Sequence, residues 1–152
     1  MKIKIAWVGK TKEAAVQALT DEYLKRISRY ADVEAIIARD EASLLEKFGR
    51  ESPKGGRNPG KTTLALLDSR GKQLSSEEFA QFLENYQDRN PLPLVFALGP
   101  ADGFSESARA AAQHSISLGK MTLQHELARV VLLEQIYRAF TILARHPYHS
   151  GH

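Results

Sequence analysis

Near its end the chain carries His146-Pro147-Tyr148-His149, two histidines bracketing a proline and a tyrosine. Imidazoles bind metals and exchange protons near neutral pH, and a phenol can relay a proton. Metal pair, reactive centre and frayed tail are the three readings open to this run. As a metal site it is short of ligands. The H-x-x-H spacing supplies two imidazoles, the chain has no cysteine, and a zinc site needs at least three protein ligands. Nothing in the sequence fixes His125 or His152 beside the pair, so no metal is expected. Pro147 disfavours helix at His146, which starts the run where a helix stops.

That helix, residues 125 to 145, holds a second group of candidates. At about 100° per residue, Leu132, Ile136, Phe140 and Leu143 share a face with His125 and Arg129. Glu134, Arg138, Thr141 and Arg145 fall on the opposite face. Apolar residues fill most of the remainder, so the helix must be buried nearly all round, in a core or against another subunit. Glu134 and Arg138, four apart, can pair along the helix. The pair is either a plain ion pair or an arginine aimed at a phosphate or base, with the glutamate orienting it.

The elements that must position these groups alternate along the chain. Strands are expected at 2–8, 33–38, 62–67, 94–98 and 115–118, the third ending at Asp68. Helices are expected at 13–30, 40–49, from a capping box at Ser75 and Glu78, from Ser105 to Ala112, and at 125–145. The apolar runs Leu64–Leu67 and Leu94–Leu98 argue for a parallel sheet covered on both faces. The expected fold is therefore one α/β domain over residues 1–152, a Rossmann-like α/β/α sandwich. Ligands in such sheets bind beyond the carboxyl ends of the strands. The loops there are Asp68–Gly71, Gly99–Phe104 and Gly119–Gln124. The second is neither a GxGxxG fingerprint nor a P-loop, since spacing and ending are both wrong.

Composition narrows the classes. Hydrophobic content of 43% and charged content of 26% fit a globular chain and exclude wholesale disorder. No apolar run of about 18 residues exists, and Met1-Lys-Ile-Lys-Ile5 reads as an alternating strand and not as a signal peptide. With no cysteine, a cytoplasmic chain is the simplest reading. The net charge of +3 permits a polyanionic partner without demanding one. Glycine, proline and basic residues mark 51–61 as a loop, either a solvated connection or an arm that meets phosphates.

The run Gly119-Lys-Met-Thr-Leu-Gln-His-Glu-Leu-Ala-Arg-Val-Val-Leu-Leu-Glu-Gln-Ile-Tyr-Arg-Ala-Phe140, closed by His-Pro-Tyr-His149, resembles the RlmH family. These are SPOUT-class methyltransferases acting on pseudouridine in large-subunit ribosomal RNA. The resemblance covers the whole chain, including the Lys2–Gly9 strand, Leu67-Asp68 before a glycine turn, and the glycine-rich loop. It implies a deep C-terminal trefoil knot, which periodicity does not indicate, and a homodimer. It implies S-adenosylmethionine as cofactor, with no metal, held mostly by backbone at Leu67, Asp68, Gly99, Pro100 and Gly103. Gly119, Lys120, Met121, Thr122, Leu123 and Gln124 complete that set, so the three loops are the ones already selected. Pro100 stands where the family has a second glycine, and Gln124 where proline is common. Proline has no N–H, so a contact at Pro100 must use its carbonyl or ring.

The implied reaction is methylation of N3 of a pseudouridine in ribosomal RNA, with the ribosome as partner and no role for DNA or a membrane. The N3–H is weakly acidic and must lose its proton near the transfer step. Candidates are His149 as base, Tyr148 as relay, and Arg138 holding negative charge on the neighbouring carbonyl oxygens. His125 and Arg129 are expected to position RNA or pack at a dimer seam. Glu134, Arg26 with Lys25 and Arg29, and the loop residues Lys54, Arg57 and Lys61 are the remaining expected RNA contacts. Tyr148 and His149 are expected to be ordered and close to the cofactor. Two other readings stay open: the same fold acting on transfer RNA, and a non-catalytic ribosome-associated RNA-binding factor.

Overall fold

A computed structural model describes residues 1–50 and 61–149; Lys54 and Arg57 lie outside them. Along the chain run β1 (Lys2–Val8), α1 (Ala14–Ile27), β2 (Asp32–Ala38), α2 (Glu41–Phe48), β3 (Thr63–Gln73) and α3 (Ser76–Arg89). β4 (Leu94–Leu98), α4 (Glu106–Ala111), β5 (His114–Ser117) and α5 (His125–Leu143) follow, then a 3-10 turn at Pro147–His149. The five strands form one sheet in the order β2-β1-β4-β3-β5, and every pairing is parallel.

Side chains alternate across a strand, and the sheet uses both faces. Ile3, Ile5, Trp7, Ala65, Leu94, Phe96 and Leu98 face one way and are buried beneath α1, α3 and α5. Ala6, Leu64, Leu66, Val95 and Ala97 face the other way, beneath α2 and α4. The result is the expected three-layer α/β/α sandwich. No described helix is long and apolar enough to cross a membrane.

Local chemistry starts the helices. Ser75 and Glu78 form the expected capping box, with amide-to-side-chain bonds of 2.8 and 3.0 Å. Ser105 caps α4. The first helix has no side-chain cap of its own; Glu126 reaches over from α5 and accepts from the amides of Lys12 and Glu13. α5 stops in a Schellman-type turn: His146 N donates to Thr141 O at 2.8 Å and Arg145 N to Ile142 O at 3.1 Å. Arg145 takes the left-handed position, φ 56°, that glycine usually fills.

One boundary differs from expectation. The strand read as ending at Asp68 continues to Gln73 through a bulge. Leu67 and Lys72 both pair with Ile116, so the residues between them loop out of register. Asp68 starts the loop by accepting from the amide of Arg70 at 3.0 Å. Gly71 closes it. A Cβ there would sit 2.6 Å from the backbone nitrogen of Ile116, and only glycine lets the two backbones come so close.

Candidate functional site

The sheet register sets Leu67 beside Leu98 and beside Ile116, so β3, β4 and β5 release their loops side by side. These loops enclose a cavity of about 400 Å³. Leu67, Asp68, Gly99, Pro100, Gly103, Gly119, Met121, Thr122 and Leu123 all line it. Of the expected cofactor set, only Lys120 and Gln124 do not. Lys120 is exposed. Gln124 instead caps α5, its Oε1 accepting from the Leu127 amide at 2.9 Å, a bond that proline could not supply.

The backbone in these loops is fixed. Gly103 N donates to Pro100 O at 2.9 Å, so the Pro100 carbonyl closes a tight turn. The Ser117 hydroxyl bridges both ends of Gly119, 2.9 Å to its oxygen and 3.1 Å to its nitrogen. Asp68 is the buried charge of the site, its side chain 4% exposed. Arg109 Nε donates to it at 2.5 Å, while Arg109 and Arg70 share Glu106 at 2.6 and 3.1 Å. Burial pushes the Asp68 carboxyl up, but the bonds from the Arg70 amide and the Arg109 guanidinium outweigh it and hold it below the usual range. Two carboxylates and two guanidiniums leave this wall of the cavity without net charge. Sequence reasoning missed Arg109, whose pairing with Asp68 joins residues forty-one positions apart.

A second cluster forms at the far end of α5. The Tyr148 hydroxyl donates to Glu134 Oε2 at 2.8 Å, and Arg138 Nη2 donates to the same oxygen at 3.0 Å. The Arg138 guanidinium also lies over the Tyr148 ring, 5.1 Å from its centroid, and Tyr137 meets that ring edge-on at 4.7 Å. Arg26 pairs with Glu22 at 3.0 Å and covers Tyr23 and Tyr137. Burial, and then hydrogen bonds with Tyr23 and Glu134, push the Tyr148 phenol far above its ordinary range. It therefore stays protonated and acts as a donor. His146 Nδ1 accepts from the Tyr148 amide at 3.1 Å, so this imidazole serves the turn.

Two expectations need correction. Tyr148, expected close to the cofactor, does not line the cavity, and neither do its partners Arg138 and Glu134. Ala128 does, and Arg138 stands ten residues further along α5, about 15 Å at about 1.5 Å per residue. Within one chain Tyr148 is therefore not beside the cofactor loops; the His149 side chain lies outside the described residues. Arg129 is not available to RNA either. It is 1% exposed, and its guanidinium donates to Val8 O at 3.0 Å, Gly9 O at 3.3 Å and Thr11 Oγ1 at 3.0 Å. By contrast His125, expected near RNA or a dimer seam, lines the cavity.

A parallel α/β/α sandwich with a backbone-lined cavity at three adjacent strand ends defines a class, and the chain belongs to the SPOUT methyltransferase family. The family model described as "Predicted SPOUT methyltransferase" matches residues 1–149. A Koribacter versatilis protein named "Ribosomal RNA large subunit methyltransferase H" is 51% identical over 154 aligned positions, covering all of both chains. A protein of that name from Geobacter sp. (strain M21) is 45% identical, covering 98% of this chain and 99% of its own. Among solved structures, a probable methylase family protein from Haemophilus influenzae superposes with a TM-score of 0.60 at 7% identity. It covers 96% of this chain and 69% of that one, a likeness of fold alone.

Proposed function

We propose that the chain methylates N3 of a pseudouridine in large-subunit ribosomal RNA, using S-adenosylmethionine, as a cytoplasmic homodimer acting on the ribosome. The cavity at the three strand ends carries this reading. Its volume, about 400 Å³, falls in the range of about 300–1,000 Å³ usual for small-ligand sites. Gly99, Gly103 and Gly119 carry no side chain to keep a ligand from the backbone, while Leu67, Leu98 and Leu123 give apolar contact. The wall at Asp68 is ionised but balanced by Arg109 and Arg70, so a ligand of mixed charge meets no net repulsion. These features suit S-adenosylmethionine, which when bound supplies a methyl group on an electrophilic sulfonium.

The chain supplies positioning and proton handling. Leu67–Asp68, Gly99–Gly103 and Gly119–Leu123 would hold the cofactor through backbone groups. In the second cluster Glu134 orients both Arg138 and Tyr148. Arg138 is placed to stabilise negative charge on a base carbonyl, Tyr148 to donate a hydrogen bond, and His149, by residue type, to take the proton. The separation of about 15 Å along α5 supports a homodimer in which the tail of one copy meets the cavity of the other. Leu127, 45% exposed on the first turn of α5, supports a partner there. The same reading has the C-terminal segment threaded as a trefoil knot. Support for it comes from β5 lying at the sheet edge while α5 packs back between α1 and α3.

Mass spectrometry of ribosomal RNA tests the proposal. Ribosomes from cells lacking the chain should miss one methyl group on a large-subunit pseudouridine, and purified chain with S-adenosylmethionine should restore it. Unchanged ribosomal RNA, or transfer to bulk transfer RNA alone, would overturn it.

A further inference from the structure

The loop between β1 and α1, Gly9-Lys10-Thr11-Lys12, is held more firmly than a connection requires. Two buried charged side chains of α5 fix it. Glu126, 2% exposed, accepts from the amide of Lys12 at 3.1 and 3.2 Å and from that of Glu13 at 3.1 Å. Arg129 takes the carbonyls of Val8 and Gly9 and the hydroxyl of Thr11, and its guanidinium lies over the Trp7 ring at 5.1 Å. Buried charge is costly unless it is fully bonded. A short loop can be closed without it, so the distinctive result is a loop fixed in place before any partner arrives.

Glu126 already fills the amides at the start of α1. What the loop presents outward is Lys10 and Lys12. Both are exposed, and among the described residues neither makes an ion pair. The loop stands on the same rim as the cavity, because Trp7 is in register with Leu98, a cavity-lining residue. The first turn of α5 joins the two features: His125 and Ala128 line the cavity, and Glu126 and Arg129 hold the loop. Of the acids near this rim, Asp68 and Glu106 pair with arginines and Asp40 with Arg39, while Glu41 accepts from Ser105 and keeps its charge. Glu13 and Asp102 remain exposed, set against Lys10, Lys12 and Lys120.

We infer that the Gly9–Lys12 loop is a phosphate-binding platform for the RNA strand that carries the target nucleotide to the cavity, with Lys10 and Lys12 each meeting a backbone phosphate. The inference rests on the proposed ribosomal RNA substrate. Phosphate contacts of this kind set register without reading sequence, and a prefixed loop loses little freedom when they form.

The test is methyl transfer to ribosomes purified from cells lacking the chain, comparing wild type with K10Q/K12Q and with K2Q. Lys2 is exposed at the opposite, amino end of β1. The double variant should raise KM for ribosomes tenfold or more, leaving kcat and S-adenosylmethionine affinity unchanged. Its plot of log(kcat/KM) against log salt should be shallower by about 1.4–1.8, from about 0.7–0.9 per lost phosphate contact. K2Q should match wild type. A double variant with wild-type KM and salt slope overturns the platform while leaving the substrate reading intact. A wild-type chain that transfers nothing to ribosomes overturns the substrate reading and the platform with it.

Discussion

Replacing Arg129 with methionine separates a buried fastening from an RNA contact. Methionine keeps much of the aliphatic stem against Trp7, so the loss is polar and not a cavity. The guanidinium makes three hydrogen bonds at 3.0–3.3 Å from a position 1% exposed. Without it the carbonyls of Val8 and Gly9 lose their donor, and the buried Glu126 carboxylate loses a neighbouring positive charge. Bonds to charged groups are worth about 1.5–3 kcal/mol each and do not add fully. Removing one partner from a buried charged arrangement costs about 3–5 kcal/mol, a large part of the roughly 5–15 kcal/mol that stabilises a domain. At a urea slope of about 2 kcal/mol/M, the unfolding midpoint should fall by about 1.5–2.5 M. Arg129→Lys should fall between, since it keeps the charge and loses the planar fork. A midpoint shift below about 0.5 M in the methionine variant, followed by circular dichroism, would refute this role for Arg129.

Four further outcomes follow from the geometry. Gly71→Ala should destabilise the fold by about 1–3 kcal/mol and abolish cofactor binding, because its Cβ meets the Ile116 and Ser115 backbone at 2.6–2.7 Å; thermal melts and calorimetry check it. Arg145→Gly should raise stability by about 1 kcal/mol, since Arg145 holds φ 56° at a helix end; an unchanged or lower melting temperature would count against that. Asp68 has a folded pKa below its ordinary value, so its contribution is complete above about pH 4–5 and is lost as pH falls through the depressed pKa. Asp68→Asn should therefore lower the melting temperature at pH 7 and flatten its fall between pH 5 and pH 3. Tyr148→Phe should slow methyl transfer while leaving S-adenosylmethionine affinity within twofold, read by single-turnover rates and calorimetry.

What could be read from the residues was what local chemistry dictates. The apolar run Leu94–Leu98 is β4 to the residue, and Ser75 with Glu78 caps α3 as expected. The three strand-end loops follow from strand order along the chain, and they do enclose one cavity. The bulge after Leu67 was not legible, because it depends on Gly71 meeting Ile116, forty-five positions away in sequence. Arg129 carried a signal that was outweighed: it shares its helical face with Leu132 and Ile136, and that face is buried. The distance between the tail and the cavity was legible but not drawn: the expected helix 125–145 separates the Gly119–Gln124 loop from His146–His149, and at about 1.5 Å per residue a helix of that length spans about 30 Å.

Calorimetric titration of the chain with S-adenosylmethionine tests the central claim most directly, with Gly119→Val as the matched variant. Gly119 holds φ 136° with open space where a side chain would project, so valine should distort the loop without overfilling the core. The wild-type chain should bind saturably at one cofactor per chain, and the variant should lose at least tenfold in affinity. Absence of binding at millimolar cofactor, or equal affinity in the two chains, would contradict a cofactor site at the strand ends.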